Sequence, residues 1–156
     1  NWSYKIFQAG HNYRLSDLNC ALGYSQLKKI NQIIAKRKYI ADLYNKELKN
    51  LKHVIKIPKI SKDHQSAWHL YIINIDFKKL KINRKTLIQK LYKSGITTQV
   101  HYIPTFKQPM YKNFDYKDKF ENAKGYYENC LSLPIYYDLN AKTVKNIVKK
   151  LKNIIL

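Results

Sequence analysis

Residues 68–76, which run from Trp68 to Asp76, constrain the fold more than any other stretch of this chain. Strand alternation puts Leu70 and Ile72 on one face and Tyr71, Ile73 and Ile75 on the other. A strand that is apolar on both faces has to be covered on both, so it belongs inside a layered structure. The segments around it supply helices for those layers.

Residues 16–50 carry a helical pattern. Ser16 is placed as an N-cap, with Asp17 in the first turn where the helix dipole favours an acid. Leu18, Leu22, Ile30, Ile33, Ile40, Tyr44 and Leu48 recur at near-helical spacing on one side. One helix of that length is unusual in a globular domain, so a break is expected near Ile30-Asn31. Gly23 costs such a helix about 1 kcal/mol relative to alanine, which points to another backbone packed closely there. Residues 61–66 read as a polar loop. Asn83 caps a predicted helix bearing Leu87, Ile88, Leu91 and Tyr92, and Gly95 is placed to end it. A second strand is expected over residues 96–100, closing at His101-Tyr102-Ile103-Pro104, where proline stops the ladder. Residues 107–118 are expected to be irregular. A helix follows over 120–129, then the short buried run Leu131-Ser132-Leu133-Pro134. Asn140 finally caps a helix with Val144, Ile147, Val148, Leu151 and Ile155 on one stripe. Helices alternating with a few strands make residues 51–156 a small α/β layer domain, with residues 1–50 as a separate helical part.

At 156 residues and 45% hydrophobic content the chain can bury a core and is not globally disordered. It holds no apolar run long enough to span a membrane. Cys20 and Cys130 match no metal-binding spacing and are expected as two buried thiols in a reducing cytoplasm. The formal net charge of +20 raises a second reading, a lysine-rich basic module that binds nucleic acid or another polyanion. Arg14, Arg37 and Arg84 are the only arginines, however, and the lysines are scattered over the segments. Surfaces that clamp phosphate and read bases favour the arginine fork, so specific nucleic-acid binding is not expected.

The richest polar cluster is Gly10-His11-Asn12-Tyr13-Arg14-Leu15-Ser16-Asp17, set directly before a helix start. Asn12 and Arg14 there suit a phosphate or carboxylate. The competing reading is local: Asn12 closes a turn and Arg14 pairs with Asp17. His101 and Tyr102, at a strand end fixed by Pro104, suit a polar ligand such as a sugar, or else plug a sheet edge. His64 and His69 lack a third metal ligand, so no metal site is expected. Ser132 has no nucleophile elbow around it, and the chain has no glycine-rich phosphate loop.

In order, these blocks are more specific than any one of them. Residues 10–17, Ala21-Leu22-Gly23 with Ser25-Gln26-Leu27, the Trp68-His69-Leu70-Tyr71 block, the 95–104 block and Leu131-Ser132-Leu133-Pro134 together resemble the DegT/DnrJ/EryC1/StrS family of sugar aminotransferases. The narrower likeness is to its pseudaminic-acid branch, carried by the Gly-His-Asn start, residues 25–29 and Gln99-Val100-His101-Tyr102. The resemblance implies the C-terminal part of a type I PLP-dependent aminotransferase fold. It places residues 1–50 at the end of the large domain and its connecting helices, and 51–156 in the small C-terminal α/β domain. The opening Asn1-Trp2-Ser3-Tyr4-Lys5-Ile6 reads as mid-fold sequence, so the cofactor lysine is expected upstream of Asn1 and the piece alone is expected to be inactive. By the same likeness Asn12 would bind the phosphate of pyridoxal 5'-phosphate in a neighbouring subunit's site, within a homodimer that shares its active sites. Arg14, His101 and Tyr102 would line the site of a nucleotide-sugar substrate. The implied reaction moves an amino group, with glutamate as donor, to the C4 ketone of a UDP-linked 4-keto-6-deoxy sugar.

Overall fold

A computed structural model describes residues 7–111, 113 and 120–156. They form two compact units, Asn1–Gln32 and Ile33–Leu156. The first unit holds helix α1 (Asp17–Leu27). Helix α2 (Ile30–Glu47) begins in the first unit and carries most of its length in the second. The second unit continues through a 3-10 turn at Lys49–Leu51, strand β1 (Ile55–Lys56), strand β2 (Tyr71–Ile75), helix α3 (Arg84–Lys93), helix α4 (Glu121–Asn129), strand β3 (Cys130–Leu133) and helix α5 (Ala141–Ile155). The sheet order is β1-β2-β3 and both pairings are antiparallel, with Ile55 opposite Ile75 and Ile73 opposite Leu131.

Local chemistry sets the helix ends. The side chains of Ser16, Asn83 and Asn140 each accept from the backbone N–H three residues on, at 3.4, 2.9 and 2.9 Å. Each bond satisfies a donor that helix geometry leaves unpaired. Helix α3 ends at Gly95, whose φ of 77° is open to glycine at no steric cost. The Gly95 N–H bonds to the Tyr92 carbonyl and the Ile96 N–H to that of Leu91, a Schellman closure. Ile96 and Leu91 are both buried, which supplies the apolar contact that accompanies this motif.

The core lies wholly in the second unit. Ile40 and Tyr44 of α2, Leu48 just beyond it, Tyr71, Ile73 and Ile75 of β2, Leu87 and Leu91 of α3, Leu131 and Leu133 of β3, and the stripe of α5 bury together, while Cys130 and Ser132 are buried outside that cluster. The opposite face of β2 is half-buried, and there Asn74 donates to the Tyr126 carbonyl of α4. Tyr44 and Tyr71 stack with ring centroids 4.7 Å apart. Tyr71 donates to Asn45 Oδ1 and Tyr44 to the Pro134 carbonyl, both at 2.8 Å. Each phenol is thereby buried with its hydroxyl satisfied.

Several expectations shift. The helical break falls at Lys28-Lys29, where the Lys29 N–H turns back to the Gln26 carbonyl, two residues before the expected place. Strand β2 starts at Tyr71 because Trp68 takes a φ of 48° and leaves the extended region. The stretch 96–100 makes a single bridge, Gln99 to Ser132, on the far edge of β3. The turn at Gly95 and the departure of the backbone after Val100 leave it one rung. Leu18, Leu22 and Ile30 are exposed, so the apolar side of the helical stretch is buried only from Ile40 onward. Cys130 is buried but Cys20 is exposed, because α1 buries no residue in this chain. A Cβ at Gly23 would meet nothing within 4 Å, so among the described residues no other backbone packs there. Of the stretch expected to be irregular, Pro109–Tyr111 forms a 3-10 turn, while residues 112 and 114–119 lie outside the described residues, as do residues 1–6.

Burial, chiefly, pushes the Tyr44 and Tyr71 phenols above their ordinary value near about 10. The folded protein then keeps protons that the unfolded chain releases, so stability present below about pH 10 is lost as pH rises further. Urea midpoints measured from neutral to strongly alkaline pH are expected to fall, and to fall less steeply for Tyr44→Phe and Tyr71→Phe. Each substitution should also cost on the order of 1 kcal/mol at neutral pH through its hydrogen bond. An unchanged alkaline slope in the double variant would mean that other groups carry it.

Candidate functional site

Beyond β3, the Gln99 N–H donates to the Ser132 carbonyl at 3.3 Å and the Ser132 N–H to that of Gln99 at 2.8 Å. That rung fixes the backbone two residues before His101. The imidazole then meets the sheet side chain to side chain, with Nδ1 2.7 Å from Ser132 Oγ. Ser132 is buried, His101 is half-buried, and the next residue, Tyr102, is 73% exposed. The two rings meet edge to face, 4.6 Å between centroids at 87°. A fixed imidazole beside an accessible phenol offers hydrogen-bonding groups and an aromatic face to a polar ligand.

Asn12 and Arg14 belong to the first unit. Asn12 Oδ1 accepts from the Arg14 backbone N–H at 3.2 Å, an Asx-type turn. The local reading of Asn12 therefore holds for its oxygen. Its side-chain NH2 has no partner among the described residues and is exposed. Arg14 makes no ion pair with Asp17 among the described residues, so its guanidinium is likewise open to solvent. Two outward donors with no acid paired to them suit an anion.

The unit that carries this turn has a distinctive surface. Contrary to an even scatter, no lysine lies between Lys5 and Lys28. Leu18, Ala21, Leu22, Tyr24 and Leu27 take up most of the circumference of α1, leaving Asn19 and Gln26 on the remaining side, and Leu18 is 80% and Leu27 64% exposed. An apolar helix face this broad ordinarily lies against another surface.

One arrangement had no signal in the sequence. Arg37 of α2 donates through Nη1 to the carbonyls of Trp68 and His69, both at 3.0 Å. It holds the left-handed turn at Trp68, whose own N–H bonds to Ser66 Oγ. Trp68, at the turn so held, lines an open cleft of about 410 Å³ together with Lys38, Asp42, Asn45 and His64. His64 Nδ1 lies 2.5 Å from Ser61 Oγ. The residues responsible are 31 and 32 positions apart, and no periodicity marks such a pair. Among the described residues no group of three or more His, Cys, Asp or Glu is placed to hold a metal, and no helix is long and apolar enough to cross a membrane.

The model of the DegT/DnrJ/EryC1/StrS aminotransferase family matches residues 1–152. The chain belongs to that family. It is 40% identical to an uncharacterised protein of Methanocaldococcus jannaschii, over 99% of this chain and 40% of the relative. It is 36% identical to the UDP-4-amino-4,6-dideoxy-N-acetyl-beta-L-altrosamine transaminase of Campylobacter jejuni, again over 99% of this chain and 40% of that protein. The structure superposes on Helicobacter pylori PseC, an aminotransferase involved in the biosynthesis of pseudoaminic acid, with a TM-score of 0.86 and 29% identity. That match covers 99% of this chain and 41% of PseC. The fold is thus a part of the aminotransferase fold, and the chain spans about 40% of the length of the curated relatives it matches.

Arg37→Ala is expected to lower stability by about 1–3 kcal/mol, since two carbonyls lose a charged donor. In a Trp2→Phe background, where Trp68 is the only indole of this chain, its fluorescence should shift to the red as the turn loosens. Emission and stability both unchanged would show that the turn holds without the clamp.

Proposed function

We propose that this chain is the C-terminal portion of a PLP-dependent nucleotide-sugar aminotransferase. Its substrate would be a UDP-linked 4-keto-6-deoxy sugar of the pseudaminic-acid type, aminated at C4 with glutamate as donor. The observation that supports this most is the family match over residues 1–152, joined to the similarity with sugar transaminases over nearly the whole chain.

The donor set fits the cofactor's phosphate. With Asn12 Oδ1 occupied by the turn, its amide NH2 projects as a donor, and Arg14 adds charge two residues on. Neither residue brings an acid that would repel a phosphate oxygen. When bound, pyridoxal 5'-phosphate supplies the electron sink through which an amino group is exchanged. The lysine that anchors it is proposed to lie in the part of the protein preceding Asn1, so this portion alone would be inactive. Asn12 would reach the phosphate in the site of a second copy, which makes the active unit a homodimer. The bare apolar surface of α1 and its lysine-free surroundings support burial of this region in the complete assembly. His101 and Tyr102 would bind and orient the nucleotide sugar from the sheet side, and Arg14 is proposed in its own right as a substrate-binding residue. Free thiols at Cys20 and Cys130 fit a cytoplasmic enzyme.

The test is carried out on the complete protein with pyridoxal 5'-phosphate, glutamate and a UDP-linked 4-keto-6-deoxy sugar. The wild type should show cofactor absorbance and amino transfer. Asn12→Ala should weaken cofactor affinity roughly ten- to a hundredfold, the range expected for losing a bond to a charged group. No transfer by the wild type would overturn the function. Transfer with unchanged cofactor affinity in Asn12→Ala would overturn the phosphate role of Asn12 alone.

A further inference from the structure

Ser132 sits on β3 with 5% of its surface exposed. Its backbone N–H and carbonyl are both committed to Gln99. The hydroxyl meets one polar atom among the described residues, His101 Nδ1 at 2.7 Å. A hydroxyl carries one proton and two lone pairs, and in a buried place the proton is the group whose partner matters most. If His101 donated from Nδ1, the Ser132 proton would have no acceptor. If Ser132 donates instead, its proton is satisfied and Nδ1 is left as the acceptor. The neutral imidazole must then carry its hydrogen on Nε2.

We propose that Ser132 is a positioning residue that locks His101 as the Nε2–H tautomer, so that His101 presents a hydrogen-bond donor beside Tyr102 to an oxygen of the substrate. Nδ1 is the edge held against buried β3, and Nε2 has no partner among the described residues. The edge-to-face contact with Tyr102 limits rotation of the ring from the other side. The Gln99–Ser132 rung holds the backbone, so both ends of the His101–Ser132 contact are anchored to the same strand. The identity of the acceptor, an oxygen of a nucleotide sugar, rests on the aminotransferase reading; the tautomer does not.

The experiment uses the complete protein with 15N-labelled histidine. Long-range 15N–1H correlations distinguish the two neutral tautomers, and His101→Gln assigns the signal. The wild type is expected to show Nε2–H at His101. Ser132→Ala should give a mixture of tautomers, and Ser132→Thr, which retains the hydroxyl, should restore the single form. In amino-transfer assays Ser132→Ala should raise KM for the sugar nucleotide roughly tenfold, with kcat changed less, and Ser132→Thr should recover most of that. A wild-type spectrum with the proton on Nδ1 would overturn the proposal, and that measurement needs no variant to fold. An Nε2–H form that persists undisturbed in Ser132→Ala would overturn it as well. A tautomer lost in Ser132→Ala without any change in KM would overturn the donor role toward substrate. Absence of amino transfer in the wild type would count against the aminotransferase reading, while the spectra would still decide what Ser132 does.

Discussion

The stacked pair of Tyr44 and Tyr71 is the contact on which the second unit depends. It joins α2 to the central strand β2, and each hydroxyl reaches a different element: Asn45 on α2 and the Pro134 carbonyl just past β3. One aromatic contact therefore ties helix, central strand and the end of the neighbouring strand together. With β3 fixed in this way, Ser132 has a defined position, and so does the imidazole bonded to it. Helices α3 and α5 complete the core with apolar stripes, but they do not touch the polar groups of the sheet edge by any hydrogen bond among the described residues.

What was legible in the sequence is what is local. The caps at Ser16, Asn83 and Asn140 bond within three residues, and the closure at Gly95 within five, so residue type and spacing suffice to place them. The α5 stripe and the alternation of β2 likewise follow from their periods. The errors come where a distant partner decides. Trp68 looks like the start of a strand, yet Arg37 gathers its carbonyl and that of His69 into a turn. Residues 96–100 have strand composition, but pairing depends on how much of β3 they run beside, and that is one rung. His101 and Ser132 each looked singly like a plug and a buried run. Their bond spans 31 positions and leaves no trace in local pattern.

The first unit departs from expectation for a different reason. Periodicity correctly identifies α1 as a helix, and apolar residues normally imply burial. Here they take up most of the helix surface and remain exposed, while lysine, abundant elsewhere, is missing from the same stretch. The absence of lysine matters because a solvated helix in so basic a chain would carry it at the ordinary rate. Cys20 and Gly23 belong to the same pattern: a small thiol and a glycine are residues of packed surfaces, yet among the described residues Cys20 is exposed and nothing meets a Cβ at Gly23.

The two candidate groups, Asn12 in the first unit and His101 in the second, differ in how their geometry is held. Asn12 owes its orientation to one bond within its own turn, on exposed backbone, and such a turn gains precision when a partner surface closes over it. His101 is held by a buried serine on a strand whose neighbours are core residues, so its orientation exists before any ligand arrives. A cofactor phosphate tolerates an adaptable donor, because three oxygens can accept from a range of directions. A sugar oxygen or carbonyl demands a donor at a set position and in a set tautomer, since misplacement by about 1 Å costs much of the benefit of orientation. On the proposed roles, the rigid element would stand where substrate discrimination is required, and the compliant one where charge alone suffices.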